Sequence, residues 1–196
     1  MNKLLLIFLV CLSASCGLPN HVHGKYAKFD IARYNSLQVN GIAHINLKRG
    51  GYTDQSKMPD GGYAETMVSM APNQRGISFY KEFYSTGELK HWGFIFYGFY
   101  IHTHKTYGKD GYAIKEKEIN YEAPYKYSLG QLDAKIRREY GIIIFKDNIQ
   151  ISRTDKTNPP VYKLLLPVYP DTANVRRAVV INANNGKTIS DVVLNN

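Results

Sequence analysis

The 196-residue chain predicts an α+β fold that is predominantly β: an antiparallel sheet of β-hairpin repeats, then a small helix-plus-antiparallel-sheet module. Three observations predict it. Short β-branched and aromatic runs are punctuated by glycine turns between residues 25 and 125. One helical stripe appears only afterwards, at residues 128–140. Strand-length apolar runs separated by Pro, Asp and Asn-Asn-Gly follow it to the end of the chain. The hydrophobic fraction of 44% and charged fraction of 21% suit a globular chain rather than a disordered or fibrous one.

The elements follow in order. Lys3 precedes an apolar run, Leu4–Leu12, and then the small residues Ser13, Ala14, Ser15, Cys16 and Gly17. Nine apolar residues are too few to span a bilayer, which takes about 20 in a helix. They fit the core of a secretory signal peptide over residues 1–15, followed by a tether over 16–24. Export is therefore expected. Both cysteines, Cys11 and Cys16, lie in this leader region, so an exported body would fold by core burial without disulfides.

Between 25 and 80, Ile42–Leu47 and Tyr63–Val68 read as strands, with turns at Lys48–Gly51 and Asp60–Gly62. No sustained 3.6 period is visible there, so only strands and turns are expected. Ile77–Tyr84 continues the pattern. The segment Phe83–Lys90 then recurs loosely as Thr106–Lys115, with Tyr84 and Tyr107 23 residues apart and one extra residue in the second turn. Each copy reads as a hairpin: tyrosine enters the strand, Ser85-Thr86-Gly87 or Lys109-Asp110-Gly111 turns the chain, and Leu89 or Ile114 returns it. Two such units bury too little surface to stand alone. The strands of 25–80 should therefore extend the sheet on one side, with the C-terminal segment capping the other.

In the C-terminal third, Ser128 and Gln131 have capping-box spacing. Leu129, Leu132, Ile136 and Tyr140 make one apolar stripe, and Gly141 stops the helix. Ile142–Phe145 should be buried. Strands are predicted at Asn148–Thr154, Val161–Val168 and Val175–Ala183, and Asn184–Lys187 is a hairpin turn into Thr188–Leu194. The expected units are therefore 25–125 for the repeats and 126–196 for the α+β module.

Net charge is +9, with the surplus concentrated in residues 126–196, where eleven basic residues face six acidic ones. No run of five basic residues occurs, and nucleic acid is not an expected partner. No phosphate loop, zinc-protease motif or Ser-His-Asp order is present. Glu116 and Glu118 share a face if they lie on a strand, but lysines surround them and they read as solvated charge. The expectation is a non-enzyme without a cofactor.

Candidate binding residues come from the aromatic stretch Trp92–Tyr100. If it is one alternating strand, Phe94, Phe96 and Gly98 face one way and Ile95, Tyr97 and Phe99 the other. Both faces are then apolar, and one needs a cover. Core packing is the simpler reading; Trp92, Tyr97 and Tyr100 are the candidates for a protein, peptide or glycan ligand. His102 and His104 alternate, which would bring both imidazoles to one strand face as weak metal-ligand candidates, with His91 nearby. Nothing fixes a third ligand, and no metal site is predicted.

Two resemblances extend this picture. Residues 13–16 resemble a bacterial lipobox, with Ser13 where a large aliphatic residue is usual and Leu12 one place earlier. The resemblance implies a lipid on Cys16 that would hold the protein to the cell-envelope membrane, in the periplasm or at the outer membrane; ordinary cleavage near 14–17 is the alternative. Tyr84, Gly87, Leu89, Lys90 and Gly93, then Tyr107, Gly111, Ile114 and Lys115, resemble MORN-like variant repeats of exported proteins from Bacteroidetes-type bacteria. That family implies a scaffold or binding face, and some members are described as antitoxins. The C-terminal helix and its last hairpin are similar to PepSY domains. These likenesses imply a binding or structural role at the cell envelope, with an immunity or antitoxin-like protein, or a PepSY-like peptidase inhibitor, as alternatives.

Overall fold

The computed structural model describes residues 27–48, 50–69, 75–168 and 175–195. The predicted signal peptide, the tether and Cys16 lie outside these residues. Among the described residues no helix is long and apolar enough to cross a membrane.

The chain is mostly β. Its first sheet has seven antiparallel strands in chain order: β1 Ile42–Asn46, β2 Tyr52–Lys57, β3 Tyr63–Val68, β4 Ile77–Phe83, β5 Leu89–Phe96, β6 Phe99–Thr106 and β7 Ile119–Asn120. Four of its turns share one geometry. The amide N–H groups of Gly50, Gly61, Gly87 and Gly111 donate to the carbonyls of Leu47, Met58, Tyr84 and Gly108, three residues back. The N–H of each of those four residues donates in turn to the carbonyl four residues on. All four glycines have φ between +81° and +92°, where a Cβ is penalised. Asp60 and Asp110 side chains brace two of the turns through the amides of Gly62 and Tyr112.

This geometry corrects the repeat register. Tyr107 pairs with Ala113 as Phe83 pairs with Leu89, and the second turn begins at Gly108 instead of Tyr107. The two turns are the same size, 24 residues apart at their glycines, Gly87 and Gly111. The lysine-flanked segment beyond is also not a strand: Lys115–Lys117 is a 3₁₀ turn, so Glu116 and Glu118 do not share a strand face.

Before the sheet lies a helix that the sequence pattern does not announce, α1, Ile31–Leu37. Asp30 caps it by accepting from the Arg33 amide at 3.0 Å. Tyr34 is its one buried residue, and two turns are too short to display a helical period.

The second sheet follows α2, Leu129–Tyr140. Both bonds of the capping box form: the Gln131 amide donates to Ser128 Oγ and the Ser128 amide to Gln131 Oε1. Gly141 ends the helix in the left-handed region, φ +72°. Strands β8 Gln150–Thr154, β9 Val161–Pro167, β10 Val175–Asn182 and β11 Thr188–Asn195 make an antiparallel sheet in the order β11-β10-β9-β8. They match the strands expected from the sequence to within two residues at each end.

Two hydrophobic cores form among the described residues. The larger joins the sheets: Phe96 and Ile101 of the first pack with Leu132 and Ile136 of α2, Ile142 and Ile144, and Leu164, Leu166, Val179 and Ile181 of the second. The smaller gathers Phe29, Tyr34, Tyr63, Phe83, Leu89 and Tyr107 at the end of the first sheet where the Gly61, Gly87 and Gly111 turns emerge. Phe29 stacks on Tyr63 with centroids 4.5 Å apart.

Candidate binding cleft

The aromatic stretch is not one alternating strand. Tyr97 and Gly98, at φ +46° and +90°, form the two-residue turn between β5 and β6. Phe96 is fully buried in the joint core, and Phe94, Tyr97 and Phe99 pack against that core. The C-terminal elements thus supply the cover that an aromatic sheet face requires.

The three ligand candidates consequently separate. Trp92 is half-buried, its Nε1–H donating to the Tyr107 hydroxyl at 2.9 Å. The Tyr97 ring lies over Gly76, where a Cβ would come within 2.2 Å of it, and its hydroxyl donates to the Asp147 carbonyl. Both are committed to the protein's own packing. Tyr100 remains 39% exposed and lines a cleft.

That cleft, about 400 Å³, lies where the β6–β7 edge meets β8. Tyr100 and Tyr121 form an aromatic wall, with ring centroids 5.1 Å apart, and Ile119, 48% exposed, extends it. Phe99, Pro124 and Tyr125 continue the apolar lining, while Asn120 and Asp155 add polar groups. Burial pushes the Tyr121 and Tyr125 phenols up, so both remain neutral at physiological pH.

Arg153 ties this surface together. Its side chain, only 4% exposed, donates to Glu122 Oε1 at 3.0 Å, to the Tyr121 carbonyl at 2.9 Å and to the Tyr100 carbonyl. Its guanidinium lies 4.2 Å from the Tyr125 centroid and 4.9 Å from that of Phe99. Glu122 also accepts from the His102 amide. A planar fork with this many fixed partners serves to pin β8 to β6 and to the β7 turn.

Behind the wall sits His104, fully buried, its ring 4.6 Å from that of Tyr100 and 4.7 Å from that of Tyr121. The ring occupies the space left by Gly93, whose Cβ would approach it to 2.1 Å. His104 Nε2 lies 3.0 Å from the Phe94 carbonyl, which can only accept, so Nε2 carries the proton. Nδ1 therefore accepts from His91 Nε2–H at 3.1 Å. Desolvation lowers the pKa of both imidazoles, and a neighbouring charge on His91 would lower that of His104 further.

His102 goes elsewhere. Pairing jumps from Trp92↔Lys105 to Phe94↔Ile101, so three residues of β6 bulge opposite Gly93. His102 takes φ +59° within that bulge, is exposed, and sets its ring against that of Phe94. Gly93 and Phe94 are consecutive and present opposite faces, so the two imidazoles do not share one. Among the described residues no group of three His, Cys, Asp or Glu is placed to hold a metal ion.

Of the residues lining this cleft, the sequence reading named Tyr100 as a candidate and did not name Tyr121, Tyr125 or Arg153. These come from separate segments, and only the junction of the two sheets gathers them. No protein-family model, curated protein or solved structure matches the chain.

Proposed function

We propose that this protein is an exported, non-catalytic binding module of the bacterial cell envelope, anchored through a lipid on Cys16, that holds a neutral glycan in the Tyr100–Tyr121 cleft. One observation carries the reading: an exposed aromatic wall is fixed from behind by a buried histidine and a buried arginine. Sugar rings present flat C–H faces that stack on such walls, and Asn120 and Asp155 supply hydrogen-bonding groups beside it. The arginine fork is occupied by internal acceptors, which favours an uncharged ligand over a carboxylate or phosphate. The lining holds one carboxylate, Asp155, whereas glycoside hydrolysis commonly uses two across the bond. In this reading the repeat hairpins are the scaffold, as the MORN-like resemblance suggests, and the helix-bearing module completes the cleft.

Titration calorimetry against neutral cell-envelope oligosaccharides tests the proposal. Binding should weaken at least about tenfold in Tyr100→Ala and again in Tyr121→Ala, the loss of a stacked ring being worth a kcal/mol or more. An unchanged affinity in both variants, or binding to peptides alone, overturns the glycan reading. Mass spectrometry of the mature N-terminus should find a diacylglyceryl group on Cys16; an unmodified start after that residue removes the anchor.

A further inference from the structure

Two polar residues of the cleft are each left with a single kind of hydrogen bond to make. Asn120 has half of its amide in use: Oδ1 accepts from the Glu122 backbone N–H at 3.0 Å. What it offers a ligand is therefore its NH2, which only donates. Asp155 is exposed, and among the described residues no hydrogen bond or ion pair engages its side chain. A carboxylate only accepts. Arg153 and Glu122 are spent on each other, so neither competes for these groups.

The backbone under both residues is fixed. Asn120 pairs with Thr103 of β6, and its carbonyl accepts from the Ala123 amide. Asp155 follows Arg153, whose guanidinium is held by three acceptors. It precedes a tight turn in which the Lys156 amide donates to Thr154 Oγ1 at 3.2 Å. Beside Asn120 the lining turns apolar, with Ile119 48% exposed and Pro124 half-buried. A ligand hydroxyl bonded to Asn120 would leave that apolar surface uncovered. An acetamido group meets both demands: its carbonyl accepts from the Asn120 NH2, and its methyl covers the adjoining carbon surface.

We infer that the cleft selects an N-acetylated amino sugar, Asn120 Nδ2 donating to the acetamido carbonyl and Asp155 accepting from ring hydroxyls. The inference rests on the glycan reading above and names the sugar class within it. A peptide carries the same carbonyl, but its backbone brings no flat C–H face to the Tyr100–Tyr121 wall and no hydroxyls to Asp155. The two polar residues have different tasks. Asn120 distinguishes an acetamido group from a hydroxyl, whereas Asp155 grips hydroxyls that most sugars share and so adds affinity without adding that distinction.

Titration calorimetry of the full chain with chitotriose and cellotriose tests the inference, since the two differ only in carrying an acetamido group or a hydroxyl on each ring. Chitotriose should bind at least about tenfold more tightly, the combined worth of one hydrogen bond and a covered methyl. Asn120→Asp keeps an oxygen for the Glu122 amide but loses both donors, and should bring chitotriose down to the cellotriose level. Asp155→Asn keeps one acceptor oxygen and should weaken both sugars by roughly threefold to tenfold with their ratio unchanged. Equal affinity for the two sugars in wild type overturns the inference and leaves the glycan reading standing; this comparison needs no variant. A preference that survives in Asn120→Asp with unaltered circular dichroism, or an Asp155→Asn variant with undiminished affinity, also overturns it. Binding of neither sugar, or of an alanyl peptide in their place, removes the glycan reading and the inference together.

Discussion

The second sheet closes on α2 with Leu132, Ile136, Val179 and Ile181 at zero exposure, a largely aliphatic core in which the buried Tyr162 hydroxyl donates to the Tyr127 carbonyl and Asp133 accepts from the Ile144 amide. The first sheet packs differently. Apart from its share of that core, it relies on rings whose polar atoms find partners: Tyr34 with the Gly41 carbonyl, Trp92 with Tyr107, His104 with His91 and Phe94. Helix-on-sheet packing here rests mainly on shape and apolar area, whereas a sheet packed by its own aromatic rings depends more on completing their hydrogen bonds. The first sheet should therefore respond to small polar changes and to pH, and the second to volume.

The largest effect is expected at the shared core. Ile136→Ala leaves a cavity and should cost about 3–5 kcal/mol in urea denaturation. Next comes Gly93→Ala, whose methyl must displace the His104 ring and break its two hydrogen bonds, for about 2–3 kcal/mol. It should also loosen the cleft wall, read as higher Tyr100 and Tyr121 fluorescence quenching by acrylamide. Tyr34→Phe removes one hydroxyl bond and should cost about 1 kcal/mol. A loss at Tyr34→Phe matching that at Ile136→Ala would erase the distinction between the two regions.

The smallest effect is the pH dependence. Burial lowers the His91 and His104 pKa values below their ordinary 6.5, so the unfolded chain takes up protons first as the pH falls. Their contribution to stability is thus complete above about pH 7 and declines as the pH drops through 6.5. The denaturation midpoint should follow that course in wild type and flatten in His91→Asn. A midpoint that rises on acidification over this window contradicts the neutral pair.

Legibility followed the same division. The Ser128–Gln131 box, the stripe from Leu129 to Tyr140, Gly141 and the strands after it are local signals, and they predicted the second sheet almost residue by residue. The glycine turns were local too, although the Tyr84–Tyr107 match misled by one residue, because Tyr107 occupies the strand position of Phe83. Tyr97 at positive φ carries no composition cue, so the aromatic run looked continuous. The cleft depends on Arg153 reaching carbonyls more than thirty residues away in sequence, and on His104 filling a hole at Gly93. Neither dependence leaves a periodic trace.

The turns starting at Met58, Tyr84 and Gly108, 26 and then 24 residues apart, emerge at the same end of the first sheet because each is separated from the next by two strands. Such spacing makes the hairpin a unit of growth. Duplicating or deleting one whole pair of strands preserves the direction of every later strand, so the sheet can widen or narrow in steps of two strands while its remaining turns keep to their own ends.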